Sequence, residues 1–86
     1  MKIQGELILR EIAGEHILIP VGETALRVKG MINLTESGAL LWERLQTECT
    51  EDDLVRAVLE EYDVDRETAA ADVTSFLDQL RALHLL

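Results

Sequence analysis

Polar and apolar residues alternate through the first third of the chain, and the spacing turns helical near Thr35. Leu7, Leu9 and Glu11 fall on one side of an extended segment and Ile8, Arg10 and Ile12 on the other, which leaves both faces open as the inward one. Ile17, Ile19 and Val21 then alternate with His16, Leu18 and Pro20. The join, Ala13-Gly14-Glu15, is short and holds a glycine, the signature of a tight hairpin. Pro20 has no ladder donor and belongs at a strand end or an edge. After Gly22-Glu23-Thr24 a third alternation sets Leu26, Val28, Gly30, Ile32 and Leu34 against Arg27, Lys29, Met31 and Asn33. Gly30 marks a bulge or break there, so the assignment rests chiefly on Gly30 to Leu34.

From Thr35, a helix N-cap by type and position, Gly38, Leu41, Trp42 and Leu45 form one helical stripe. Thr50 opens a second helix, with Asp53 at capping-box spacing and Leu54, Val55, Val58, Leu59 and Tyr62 as its apolar face. Asp65 caps a third, which carries Ala69, Val73, Phe76, Leu77, Leu80 and Leu83. The apolar end, His84-Leu85-Leu86, is expected to fold back onto the domain. The predicted strands span about 7–13, 16–21 and 26–34, and the helices about 36–46, 51–62 and 66–83. Strands followed by helices imply an α+β class, a three-stranded antiparallel sheet covered by three helices in a winged-helix-like arrangement. At 86 residues the chain is one domain, 1–86.

Charge narrows the function. The net charge is −9, from 17 acidic and 8 basic residues, which disfavours nucleic acid and anionic membranes and fits a partner with basic or neutral contact segments. The third predicted helix, the one that would enter a DNA groove, holds Asp65, Glu67, Asp72 and Asp78 against Arg66 and Arg81, a net of −2. The helix before it nets −4, from Glu51, Asp52, Asp53, Glu60 and Glu61 against Arg56. A winged helix so charged is not a DNA reader. No signal-peptide h-region and no apolar run of membrane-spanning length occur, so the expected address is cytoplasmic.

Catalytic and metal-binding patterns are absent from the sequence. His16, His84 and Cys49 have no metal-ligand spacing, and no glycine pair has the spacing of a phosphate cradle. Cys49 lies among acidic neighbours, which raise a thiol pKa. The expectation is a protein without catalytic residues, metal or cofactor. Arg27 and Lys29, on the outward face of the third predicted strand, fit either protection of an edge or selection of a peptide that pairs with it. An exposed edge also permits self-pairing, so monomer and homodimer both remain open.

Glu15-His16-Ile17-Leu18-Ile19-Pro20-Val21-Gly22-Glu23 and the later Gly30-Met31-Ile32-Asn33-Leu34-Thr35-Glu36-Ser37-Gly38-Ala39-Leu40-Leu41-Trp42 together resemble the PqqD-like family. That family is named for the D-protein of pyrroloquinoline quinone biosynthesis. Thr50-Glu51-Asp52-Asp53-Leu54-Val55 and Glu60-Glu61-Tyr62-Asp63-Val64 resemble its second helix and following turn, with Thr35 standing where the family more often has Asn. Members are small peptide-binding domains, also called RiPP recognition elements after the ribosomally made, post-translationally modified peptides they serve. The resemblance implies a non-catalytic protein that captures the leader of a precursor peptide and presents it to a modifying enzyme, such as a radical S-adenosylmethionine maturase. The rival reading is an acidic winged-helix interaction or regulatory module. By position, the resemblance implies that the leader pairs with Lys29, Gly30, Met31, Ile32, Asn33 and Leu34, in a groove whose helical side offers Asp72, Ser75, Phe76, Gln79 and Leu80. Gly38 is expected to admit a neighbouring backbone to the helix start, and Trp42 to be core.

Overall fold

Two alternating segments joined by Ala13-Gly14 set the sheet. Both joining residues take positive φ, 52° and 82°, as a two-residue hairpin that matches strand twist requires. The computed structural model describes residues 1–86. The hairpin pairs β1 (Leu7–Ile12) with β2 (Glu15–Pro20) in antiparallel register, Leu9 opposite Leu18 and Ile12 opposite Glu15. Leu18 is fully buried and Leu7 and Leu9 pack against the core, whereas Ile8 and Ile12 are exposed. The open choice of face is thereby settled: Leu7, Leu9 and Leu18 point in.

The third predicted strand is corrected. Residues 26–31 are not strand; Thr24–Arg27 form a single helical turn, α1, and only Ile32–Leu34 pair as β3, with Leu18 opposite Ile32 and His16 opposite Leu34. Turn spacing decides this. Thr24 and Val28, four residues apart, are both buried, while Leu26 between them is 72% exposed. The Thr24 hydroxyl accepts the Glu6 N–H at 2.7 Å, which anchors the turn inside, and Gly30 at φ 82° ends the segment. Arg27 therefore lies on α1 rather than on a strand face. The sheet order is β1-β2-β3, which leaves β3 at an edge.

Three longer helices follow: α2 (Glu36–Arg44), α3 (Glu51–Glu61) and α4 (Arg66–Ala82). Each begins at an expected cap. Thr35 accepts from the Gly38 N–H, Thr50 and Asp53 form a reciprocal capping box, and Asp65 accepts from the Thr68 N–H. Leu41, Trp42, Leu45, Leu54, Val58, Val73, Leu77 and Leu80 join Leu18 in one core. The C-terminus of α4 closes with His84 at φ 58°: its N–H donates to Arg81 O, and the Leu85 N–H to Leu80 O at 2.9 Å. This Schellman closure turns Leu85 into the core, where it is 0% exposed and where its carbonyl accepts the Gln4 N–H.

The two aspartate caps make stability pH-dependent. The Thr50 N–H donates to Asp53 and the Thr68 N–H to Asp65, holding both carboxyls below their ordinary value of 3.8. Unfolding removes these donors, so on acidification the unfolded chain takes up protons first. The cap contribution is whole above about pH 3.8 and is lost as pH falls through the lowered folded values. Acid melts should therefore show a declining Tm below that pH, with a shallower slope for the Asp53→Asn/Asp65→Asn double variant.

Candidate functional site

An edge strand presents unpaired N–H and C=O groups along its outer side, and β3 is such a strand. At three residues it is short. A short edge limits indiscriminate pairing with other chains. Ile32 and Leu34 are half-buried and pack against the core, while Asn33, between them, is exposed. None of the turn and loop hydrogen bonds uses the backbone of Lys29, Gly30 or Met31.

Beside β3, where it runs into α2, lies a cavity of about 210 Å³ lined by Thr35, Ser37, Gly38, Leu41, Asp72, Ser75, Phe76 and Gln79. Four of the five helix positions expected at the groove (Asp72, Ser75, Phe76 and Gln79) thus share one cavity. The fifth does not: Leu80 is 1% exposed and belongs to the core, one position round the helix from Gln79. Lys29, Gly30 and Met31 also stand elsewhere, lining a recess with Ile19, Pro20, Ala25 and Val28. Ile32, Asn33 and Leu34 remain as the strand.

Thr35, Ser37 and Leu41 were not anticipated at the groove. The signal for Thr35 was present, because this N-cap residue is exposed at a helix start that abuts the edge strand. A second cavity of about 250 Å³, lined by Glu36, Val58, Tyr62 and Val64 in addition to Thr35, Ser37 and Asp72, continues the groove towards the end of α3. Burial, then the charges of Glu36 and Glu61, push the Tyr62 phenol up, so it is uncharged at neutral pH. Asp72 borders both cavities and makes no ion pair.

Gly38 is a contact position, and its neighbour is a side chain rather than the backbone expected. A Cβ there would lie 3.2 Å from Thr35 Oγ1 and 3.4 Å from Phe76 Cε1, so the missing side chain lets the Phe76 ring close against the start of α2. In Gly38→Ala the helix-propensity gain, at most about 1 kcal/mol, is opposed by these tight approaches. Its Tm should lie within a few degrees of the parent, while the altered Phe76 position weakens any ligand of the groove.

Cys49 lines a third cavity, of about 300 Å³, with Arg44, Asp53, Arg56 and Glu60. Burial raises its thiol pKa, which leaves it protonated and a poor nucleophile at neutral pH. No three His, Cys, Asp or Glu side chains are grouped to hold a metal ion, and no helix is long and apolar enough to cross a membrane.

The fold has solved counterparts. TbiB1 in complex with the TbiA(beta) leader peptide superposes with a TM-score of 0.77 and 29% sequence identity, covering 100% of this chain and 94% of that one. A lasso peptide synthetase B1 complexed with the leader peptide shares the fold at a TM-score of 0.72 and 20% identity, covering 94% of this chain and 89% of that one. No curated protein matches the chain. The family model described as coenzyme PQQ synthesis protein D (PqqD) matches residues 15–86, from β2 to the C-terminus and across every residue of the groove, and the chain therefore belongs to the PqqD family.

Proposed function

We propose that this protein captures the leader segment of a ribosomally made precursor peptide by strand addition at β3 and presents it to a separate modifying enzyme. One observation carries the reading: the free edge of Ile32–Leu34 lies beside a groove floored by Gly38 and Phe76 and bordered by Asp72, Ser75 and Gln79. In strand addition, main-chain hydrogen bonds supply the affinity and pockets for alternate side chains the specificity. Both parts are present here. The leader peptide bound by TbiB1, whose fold matches the whole of this chain, supports the choice of ligand, as does membership of the PqqD family.

The role needs no catalytic group, and the protein acts as a non-catalytic carrier. The modifying enzyme is a separate protein, with a radical S-adenosylmethionine maturase as the leading candidate. An NMR titration with the synthetic leader of a candidate precursor peptide from the source genome tests the proposal. Shifts are expected in Gly30 to Leu34, at Thr35 to Gly38 and along the Asp72-to-Gln79 face of α4. A spectrum unmoved at high micromolar leader would refute strand addition.

A further inference from the structure

Because Leu9 and Leu18 face the core, the alternate residues of β1 and β2 form the opposite face of the sheet. Two rows cross it in register: Ile8 beside Ile19, and Arg10 beside Ile17 and Asn33. Ile8 and Ile12 are 41% and 51% exposed, and Ile17 and Ile19 are half-buried. At one end the face opens into a recess of about 240 Å³ between Ile19, Pro20 and Met31, and Met31 itself is 66% exposed. Isolated exposed apolar residues are ordinary, but neighbouring rows of them mark an interaction surface.

Charge says what kind of surface would cover it. On the helical side Arg56, Arg66 and Arg81 are each engaged by aspartates. Arg10, in the middle of the open face, and Lys29, at the recess, pair with no carboxylate. In a chain of net charge −9 this is apolar surface carrying two cations outside any ion pair, and its one acidic side chain, Glu15, stands opposite Ile12 at the hairpin end. Its complement is an apolar patch edged by Asp or Glu. A second copy paired about a two-fold axis at the centre of the face would set Arg10 against its own copy, which disfavours that self-association.

The same face also reaches the peptide site. A strand added at β3 becomes the fourth of the sheet, and every second residue of it projects from this outer face next to Asn33. We infer that the outer face of the sheet, centred on Ile8, Arg10, Ile17 and Ile19, docks an apolar, acid-rimmed surface of the modifying enzyme, which thereby contacts carrier and bound peptide on one continuous sheet. The inference rests on the strand-addition reading for the peptide's place in that surface. Its consequence is coupling: the enzyme binds the loaded protein more tightly than the empty one, and tightens peptide binding by the same factor.

The test uses a purified candidate modifying enzyme and the synthetic leader of its precursor substrate, both from the source genome, with affinities measured by calorimetry. Arg10→Glu and the Ile8→Ser/Ile12→Ser double variant should each weaken enzyme binding at least tenfold, leave leader affinity within twofold and keep the parent Tm. Saturating leader should tighten enzyme binding to the parent protein by roughly fivefold or more. Enzyme affinity unchanged in both variants overturns the docking surface. So does a parent dimer in sedimentation that Ile8→Ser/Ile12→Ser dissociates, because a second copy then covers the face. Enzyme binding indifferent to leader overturns the shared surface. If the leader fails to bind the parent while both variants still lose the enzyme, the strand-addition reading falls and the docking surface stands.

Discussion

Replacing Ile32 or Asn33 by proline is expected to separate the two edges of β3, with one variant losing the peptide and the other losing the fold. In an antiparallel ladder the N–H and C=O of one residue point to the same neighbouring strand. Ile32 and Leu34 therefore serve one edge and Asn33 the other. Proline removes one N–H and puts ring atoms in its place. On the side facing β2 it breaks the ladder between the hairpin and β3, and the Tm falls. On the open side it removes nothing the isolated domain uses, so the domain stays folded while leader affinity drops on the order of tenfold, one hydrogen bond and the space for another strand being lost. Ile32→Val controls for the half-buried side chain at that position and should bind leader normally. Hydrogen exchange on the unaltered protein gives an independent answer: leader should protect the outward amides of Ile32–Leu34 and leave the inward ones as they were. Two proline variants that both fold and both bind leader would place the docking strand elsewhere.

That strand is also where sequence pattern and structure part company, and the reason is local. Alternation over Leu26, Val28 and Gly30 has period two, but a single turn of helix that buries Thr24 and Val28 satisfies the same residues. One turn is too short to display a helical period, so the pattern could not discriminate. The deciding contact, from the Glu6 N–H to the Thr24 hydroxyl, spans 18 residues and is invisible to any local reading. The helices were legible because their starts carry chemistry of their own: Thr35, Thr50 and Asp65 cap as their types and positions require. The hairpin was legible through Ala13-Gly14, though not which of its faces was inward, since isoleucines and leucines stand on both.

The groove was legible only in part, for a similar reason. Spacing on one helix places Asp72, Ser75, Phe76 and Gln79 along a face, and they do line one cavity. Leu80 follows Gln79 directly, and an apolar residue at the boundary of a helical face can turn to core or groove; here it turns to the core. Thr35, Ser37 and Leu41 enter the site because the start of α2 packs beside α4, a tertiary fact that α2 alone does not encode. Gly38 stands inside a helix, where glycine costs about 1 kcal/mol relative to alanine, and that alone marks the position. What it accommodates, the Phe76 ring, comes from 38 positions along the chain.

Phe76 and Trp42 should cost the same stability when truncated and yet differ in function. Both are buried, at 7% and 3% exposure. Removing a buried aromatic side chain costs about 3–5 kcal/mol. A small domain holds only about 5–15 kcal/mol in total. At roughly 4–8 °C per kcal/mol for a chain of this size, each alanine variant should melt more than about 12 °C below the parent. Only Phe76 also borders the cavity beside β3, where its ring meets Gly38; Trp42 lines no cavity. Measured below both transitions, the folded fraction of Trp42→Ala should bind leader within twofold of the parent, and Phe76→Ala on the order of tenfold more weakly. Phe76→Leu keeps much of the buried volume while losing the flat ring, so it should recover most of the Tm and little of the affinity. Equal leader affinity in Phe76→Ala and Trp42→Ala would show that Phe76 is core alone, and that the floor of the site is formed without it.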